Sequence, residues 1–219
     1  LQQENEELKT RLLILERRAL KYAALASENN ELRRLLNSSE VLDDRVIVGE
    51  VVAVSPDPFS HEVVINKGSN DGVTAGQAVL DAEGLLGQVI QTSQFTSRVL
   101  LVSDSSHAVP VEVVRNGLRS ILLGNGETDE LELVHVPDTA DIREGDMLVS
   151  SGLGGRFPRG YPVAEVSSIS KEPGEPFVDI VAVPKARLNQ SRLVLVVFQQ
   201  KDEPAEAPLV PLGEVEEQN

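Results

Sequence analysis

A chain of 219 residues with a hydrophobic fraction of 41% can build one or two domains with packed cores, but aromatics make up only 3% and Trp is missing, so those cores are aliphatic. A net charge of −15 repels phosphate backbones and argues against nucleic acid as a partner. With no Cys, disulfides and thiolate metal sites are excluded, and no apolar run reaches the roughly 18 residues of a membrane span. The charge is uneven: residues 1–38 carry seven basic and six acidic side chains and residues 201–219 one and six, leaving −11 for the middle. The chain begins at Leu1, without Met and already inside a repeat, as a protein relieved of an N-terminal segment would; that segment is the expected membrane anchor.

The first element is a helix over 1–38. Leu1, Leu8, Leu15, Tyr22, Asn29 and Leu36 recur every seven residues, and Leu12, Ala19 and Ala26 fall four after the preceding member. That is the seam of a coiled coil, flanked by charges of both signs and free of Pro and Gly. Beyond Tyr22 the series is better described by Leu25, Leu32 and Leu36, a three-residue step that overwinds a coil locally. Asn29 in the seam fixes register at a cost in stability. The expected product is a marginal homodimer on a helix of about 55 Å; the alternative is one amphipathic helix packed on its own domain. Asn37-Ser-Ser-Glu40 is expected to break the helix.

From residue 45 the texture turns to β. The β-branched runs are 46–54, 61–66, 77–80, 85–90, 97–102, 109–114, 118–123, 131–136, 147–150, 162–169, 178–183 and 193–198, with turns every 8 to 12 residues, the signature of a sandwich or small barrels. Asn116-Gly117 is the strongest hairpin signal. Residues 201–219, with three prolines and many acids, are expected to be a disordered tail.

An internal repeat raises the domain count. Val73-Thr-Ala-Gly76-Gln-Ala-Val79-Leu80 and Ile142-Arg-Glu-Gly145-Asp-Met-Leu148-Val149 match at an offset of 69, and each leads into a glycine turn, Gly84-Leu-Leu-Gly87 or Gly152-Leu-Gly-Gly155. Each block then closes on an arginine before an apolar run, Arg98 or Arg192. Two related small β-barrels account for this, unless any two strand-turn-strand units look alike. In the second block, Gly152, Gly154, Gly155 and Gly160 with Pro158 and Pro162 define a loop that is either a tight barrel corner or a partner contact, with Phe157 and Tyr161 as its anchors in the second case. It lacks the Lys and Ser or Thr of a phosphate cradle.

Paired barrels are also the scaffold of chymotrypsin-like proteases, which need Ser, His and a carboxylate in mutual reach. His61, His107 and His135 are the available bases; His107 has Asp104, Ser105 and Ser106 beside it, but no nucleophile turn occurs. The histidines are read as surface or strand-end residues, and neither a catalytic site nor a metal or cofactor site is expected. A periplasmic adaptor of a transport complex would need a helical hairpin returning to the barrels, and a trimeric adhesin stalk a longer heptad run.

Asn30-Glu-Leu-Arg-Arg-Leu-Leu36, Asn66-Lys-Gly-Ser-Asn-Asp-Gly-Val73, Gly84-Leu-Leu-Gly-Gln-Val89 and above all Ser151-Gly-Leu-Gly-Gly-Arg-Phe-Pro-Arg-Gly-Tyr-Pro-Val163 resemble the MreC family of bacterial rod shape-determining proteins, over residues 1–200. The resemblance implies a mainly β fold: a coiled-coil helix followed by two six-stranded-type barrels, one inserted in the other. Applied to this chain, 39–54 and 125–200 would form one discontinuous barrel and 55–124 the inserted one. It further implies a non-enzymatic periplasmic scaffold, anchored to the inner membrane, that self-associates and recruits and activates peptidoglycan synthesis. The implied partners are a transpeptidase of the penicillin-binding class, MreD, RodZ and, across the membrane, MreB filaments.

Overall fold

The computed structural model describes the backbone of residues 2–40 and 45–198 and, within the helix, the side chains of 8–32, 34 and 35. Leu1, the side chain of Leu36 and the segment 201–219 lie outside the described residues. Helix α1 (Gln2–Glu40) has no Pro or Gly to interrupt it. It runs through Asn37-Ser-Ser-Glu40, contrary to the expected break: Asn and Ser each cost only a few tenths of a kcal/mol in a helix, about 0.5. Among the described residues no helix is long and apolar enough to cross a membrane.

Twelve strands follow, one for each β-branched run: β1 (Arg45–Val54), β2 (Glu62–Ile65), β3 (Ala78–Leu80), β4 (Leu85–Thr92), β5 (Ser97–Leu101), β6 (Ala108–Val113), β7 (Arg119–Gly124), β8 (Leu131–Val134), β9 (Met147–Ser150), β10 (Pro162–Ser170), β11 (Asp179–Pro184) and β12 (Leu193–Phe198). They close two barrels, in the orders β1-β12-β3-β4-β5-β2 and β10-β11-β8-β7-β6-β9, with every neighbouring pair antiparallel. The strands alternate as barrel walls require, for example Val109, Val111 and Val113 inward on β6.

One barrel is inserted in the other, but not at 55–124. The outer barrel takes β1 to β5 and β12, and the inserted barrel is β6 to β11, so the chain crosses over near residues 102–107 and returns near 185–192. The boundaries 39–54 plus 125–200 and 55–124 therefore fail. Their physical fault is that β2 to β5 close on β1 and β12, with Val63 opposite Val54 and Val196 opposite Val79, and cannot also complete a barrel with β6 and β7.

The repeat is real and extends to hydrogen bonds. Gly76 N–H donates to the Val89 carbonyl (2.7 Å) and Val89 N–H to Gln77 (2.9 Å); Gly145 N–H donates to Val166 (2.8 Å) and Val166 N–H to Asp146 (2.9 Å). Bulges fall on matching residues too, Leu86 and Ile90 on β4, Val163 and Ser167 on β10. Strands β1 to β5 thus match β7 to β11, and β12 matches β6: the same barrel, with its sixth strand last in one and first in the other. The pairing of Arg98 with Arg192 as block ends does not survive, because β5 corresponds to β11 rather than β12.

Strand β12 is buried on both faces from Leu193 to Val197 because α1 packs across its outer side. Leu35 is fully buried there and Leu32 packs against the same core.

Candidate functional site

Three surfaces could carry function: the projecting helix, the glycine-rich loop and the junction between barrels. On the helix, Leu8, Leu12, Leu15, Tyr22 and Leu25 are between 51% and 71% exposed, and Ala19 and Asn29 are also open to solvent. Leu32, expected in the same seam, turns instead onto the barrel. Leu13, Ile14 and Leu20 add exposed apolar area off the seam. Each residue turns the helix by about 100°, so Leu12 to Leu15 look in four directions and the apolar surface is broader than one heptad stripe. The base of the helix is tied down: Arg192 reaches Glu28 at 3.4 Å and Glu50 at 2.9 Å, from the strand side.

The glycine-rich loop joins β9 to β10. Gly152, Gly154 and Gly155 have φ of 75°, 75° and 63°, a left-handed path that side-chain-bearing residues resist. The path folds the loop back so that Ser150 N–H donates to the Tyr161 carbonyl (2.8 Å) and Tyr161 N–H to Ser150 Oγ (3.0 Å). Phe157 and Tyr161 are each 2% exposed. They are core packing, as a tight barrel corner requires, and not the surface anchors of the alternative reading. What the loop exposes is Leu153, Gly154, Gly155, Arg156 and Arg159.

Phe157 faces the crossing segment, where its ring lies 5.7 Å from that of His107. His107 stands at a strand end, as expected, but is only 4% exposed, and neither ring nitrogen has a hydrogen-bond partner among the described residues. Burial pushes its pKa down to about 4, Asp104 opposing and Arg156 assisting, so the ring is neutral at neutral pH. Asp104 is itself partly desolvated, which favours its protonated form, but bonds from Ser106 and the His61 N–H (2.8 Å) prevail and hold its carboxyl below the usual range. Two glycines permit close approach here. A Cβ on Gly84 would sit 2.7 Å from the Pro162 carbonyl of the other barrel, and one on Gly124 would collide with the Asp104 carbonyl. The return crossing is held by Asp81, which accepts from Arg187 N–H and Ser191 Oγ, both at 2.7 Å.

No proteolytic constellation forms among the described residues. Ser106 Oγ bonds to Asp104 rather than to His107, and the His61 ring meets Ser103, at 2.8 Å, where Ser103 is fully buried and out of reach of a substrate. No group of three or more His, Asp or Glu stands close enough to hold a metal among those residues. Sequence reasoning missed Leu35, Asp81 and the burial of His107. Leu35 is one position before the heptad leucine Leu36, and His107 precedes the alternating run of β6, which was a usable sign of burial.

A family model described as rod shape-determining protein MreC, barrel core, matches residues 40–198. The cell shape-determining protein MreC of Escherichia coli is 45% identical over 198 residues, 90% of this chain and 54% of that protein. The chain thus spans about half the length of the curated relatives it matches. A solved structure of MreC from Pseudomonas aeruginosa is 55% identical with a TM-score of 0.69, covering 71% of this chain and all of that one. A complex between Penicillin-Binding Protein (PBP2) and MreC from Helicobacter pylori shares the fold at 19% identity and a TM-score of 0.55, over 70% of this chain and 98% of that one. With the family model covering both barrels and the repeat, glycine loop and nested topology all in place, the chain belongs to the MreC family of rod shape-determining proteins.

Proposed function

We propose that this chain is a non-enzymatic scaffold of the cell-wall elongation complex, acting in the periplasm from the inner membrane. The helix pairs two copies and carries the barrels away from the membrane; the barrels recruit and activate a transpeptidase of the penicillin-binding class, alongside MreD, RodZ and MreB. The observation that carries this reading is the contrast along α1: Leu8 to Leu25 leave an apolar row in solvent while Leu35 is fully buried on the barrel. Burying each of those leucines against a second helix is worth about 1.5–3 kcal/mol, and nothing else among the described residues covers them. The partner class is supported by the fold shared with an MreC seen in complex with Penicillin-Binding Protein (PBP2).

The test is surface binding of the penicillin-binding transpeptidase from the same cell to the immobilised chain, with and without the paired substitution Leu12→Asp and Leu15→Asp. Binding to the parent, weakened in the variant through lost bivalency, is the expected result. No binding to either would overturn the recruitment reading.

A further inference from the structure

Arg156 is the odd cation of the barrels. Other arginines there are engaged: Arg115 with Asp141 and Asp146, Arg159 with Glu112, and Arg45 lies over the Phe198 ring at 4.8 Å. Arg156 is exposed, and it makes no ion pair, hydrogen bond or ring contact with any described residue.

It stands at the mouth of a cleft of about 580 Å³ between the barrels. One wall is Thr74 to Gln77 and Gln88 to Ile90 of the outer barrel; the other is Gly155 and Arg156 of the inserted one. Clefts at domain junctions are the usual place for ligands. In a chain of net charge −15, this cleft has no carboxylate in its lining among the described residues. Three other clefts carry Glu83 with Glu165, Glu132 with Asp179, or Glu31 with Asp81. An unpaired guanidinium over amide and apolar walls, with no acid to neutralise it, selects a carboxylate.

The nearest source of carboxylates is the chain itself. Strand β12 runs antiparallel to β3 with Val196 opposite Val79, so Phe198 comes level with Gln77, on the cleft wall. A Cβ on Gly72, two residues before Thr74, would be 3.3 Å from the Phe198 ring. The segment after Phe198 carries Asp202, Glu203 and Glu206, and residues 201–219 hold six acids against one base. At about 3.3–3.6 Å per extended residue, Asp202 can lie up to roughly 13 Å and Glu206 up to roughly 28 Å from Phe198.

We propose that the inter-barrel cleft is the docking site of the chain's own acidic segment 202–206, with one of its carboxylates paired to Arg156. An occupant touching Gln77 on one side and Arg156 on the other bridges the two barrels. The proposal is independent of helix pairing.

Because the chain has no Cys, a nitroxide on Ala207→Cys labels a single site in the full-length protein. Its paramagnetic broadening of backbone amides is expected to concentrate on Thr74 to Gln77, Gln88 to Ile90, Gly155 and Arg156 at about 0.1 M salt and to vanish at about 1 M. It should vanish also in Arg156→Glu and persist in Arg156→Lys, with unchanged amide shifts in the rest of the barrels reporting that both variants fold. Mixing spin-labelled chains with isotope-labelled, label-free chains separates the copy's own segment from its neighbour's. Broadening spread evenly, centred elsewhere, retained in Arg156→Glu, or arising wholly between chains would overturn the proposal.

Discussion

The helix and the barrels handle apolar surface in opposite ways. Each barrel closes its sheet, so no strand among β1 to β12 keeps a free edge, and the inward residues are buried. Strand addition at 178–183, one conceivable route to self-assembly, is closed off because β11 is paired on both sides, to β10 and β8. The helix instead leaves its leucines in water up to Leu25 and satisfies only its last turns, at Leu32 and Leu35. The lesson is that folding is completed by the barrels plus the base of the helix, while the free part of the helix keeps its apolar row in solvent.

The largest expected effect breaks that contrast at the helix. In the proposed dimer Leu12 and Leu15 are covered by the second helix, so Leu12→Asp with Leu15→Asp removes two contacts per chain, each worth about 1.5–3 kcal/mol, and dimer affinity should fall by a factor of about 1,000 or more. Sedimentation equilibrium reads that loss, and the melting temperature of the barrels should stay where it was. Leu35→Ala probes the other side of the contrast: it empties a fully buried site and should cost about 2–5 kcal/mol in denaturant unfolding.

At the junction, His107 has a pKa lowered from 6.5 to about 4 in the folded state. Between those values the unfolded chain binds a proton that the folded chain refuses, so stability is full above pH 6.5 and falls as pH drops toward 4. The loss should be about 2–3 kcal/mol. In His107→Leu that slope disappears from thermal melts across the same window, while any loss from Asp104 and Asp146, whose carboxyls are held low by their partners, remains below it. The smallest expected effect is Gly84→Ala, about 1–3 kcal/mol, since the loop must give way before the Pro162 carbonyl.

Most of the fold was legible in the residues. Alternating Val, Ile and Leu with turns such as Asn116-Gly117 place all twelve strands, and the glycine repeat exposes the duplication. Which strands share a barrel was not legible, because β5 and β6 carry the same local pattern and their membership is decided by distant partners such as Leu195 opposite Leu80. The seam was readable over Leu8 to Leu25, but its fork at Leu32 was not, since heptad spacing does not say whether a leucine meets a second helix or the chain's own barrel. Phe157 and Tyr161 mislead for a related reason: aromatics on a glycine loop suit an anchor or a core equally until the left-handed glycines turn them inward.

The most direct measurement is light scattering coupled to size exclusion on residues 1–219 and on residues 28–200, which keep Glu28, Leu32 and Leu35 against the barrel, each across a concentration series. The account predicts a concentration-dependent dimer for the longer chain and a monomer for the shorter one. A monomer in both up to high micromolar concentration would contradict it.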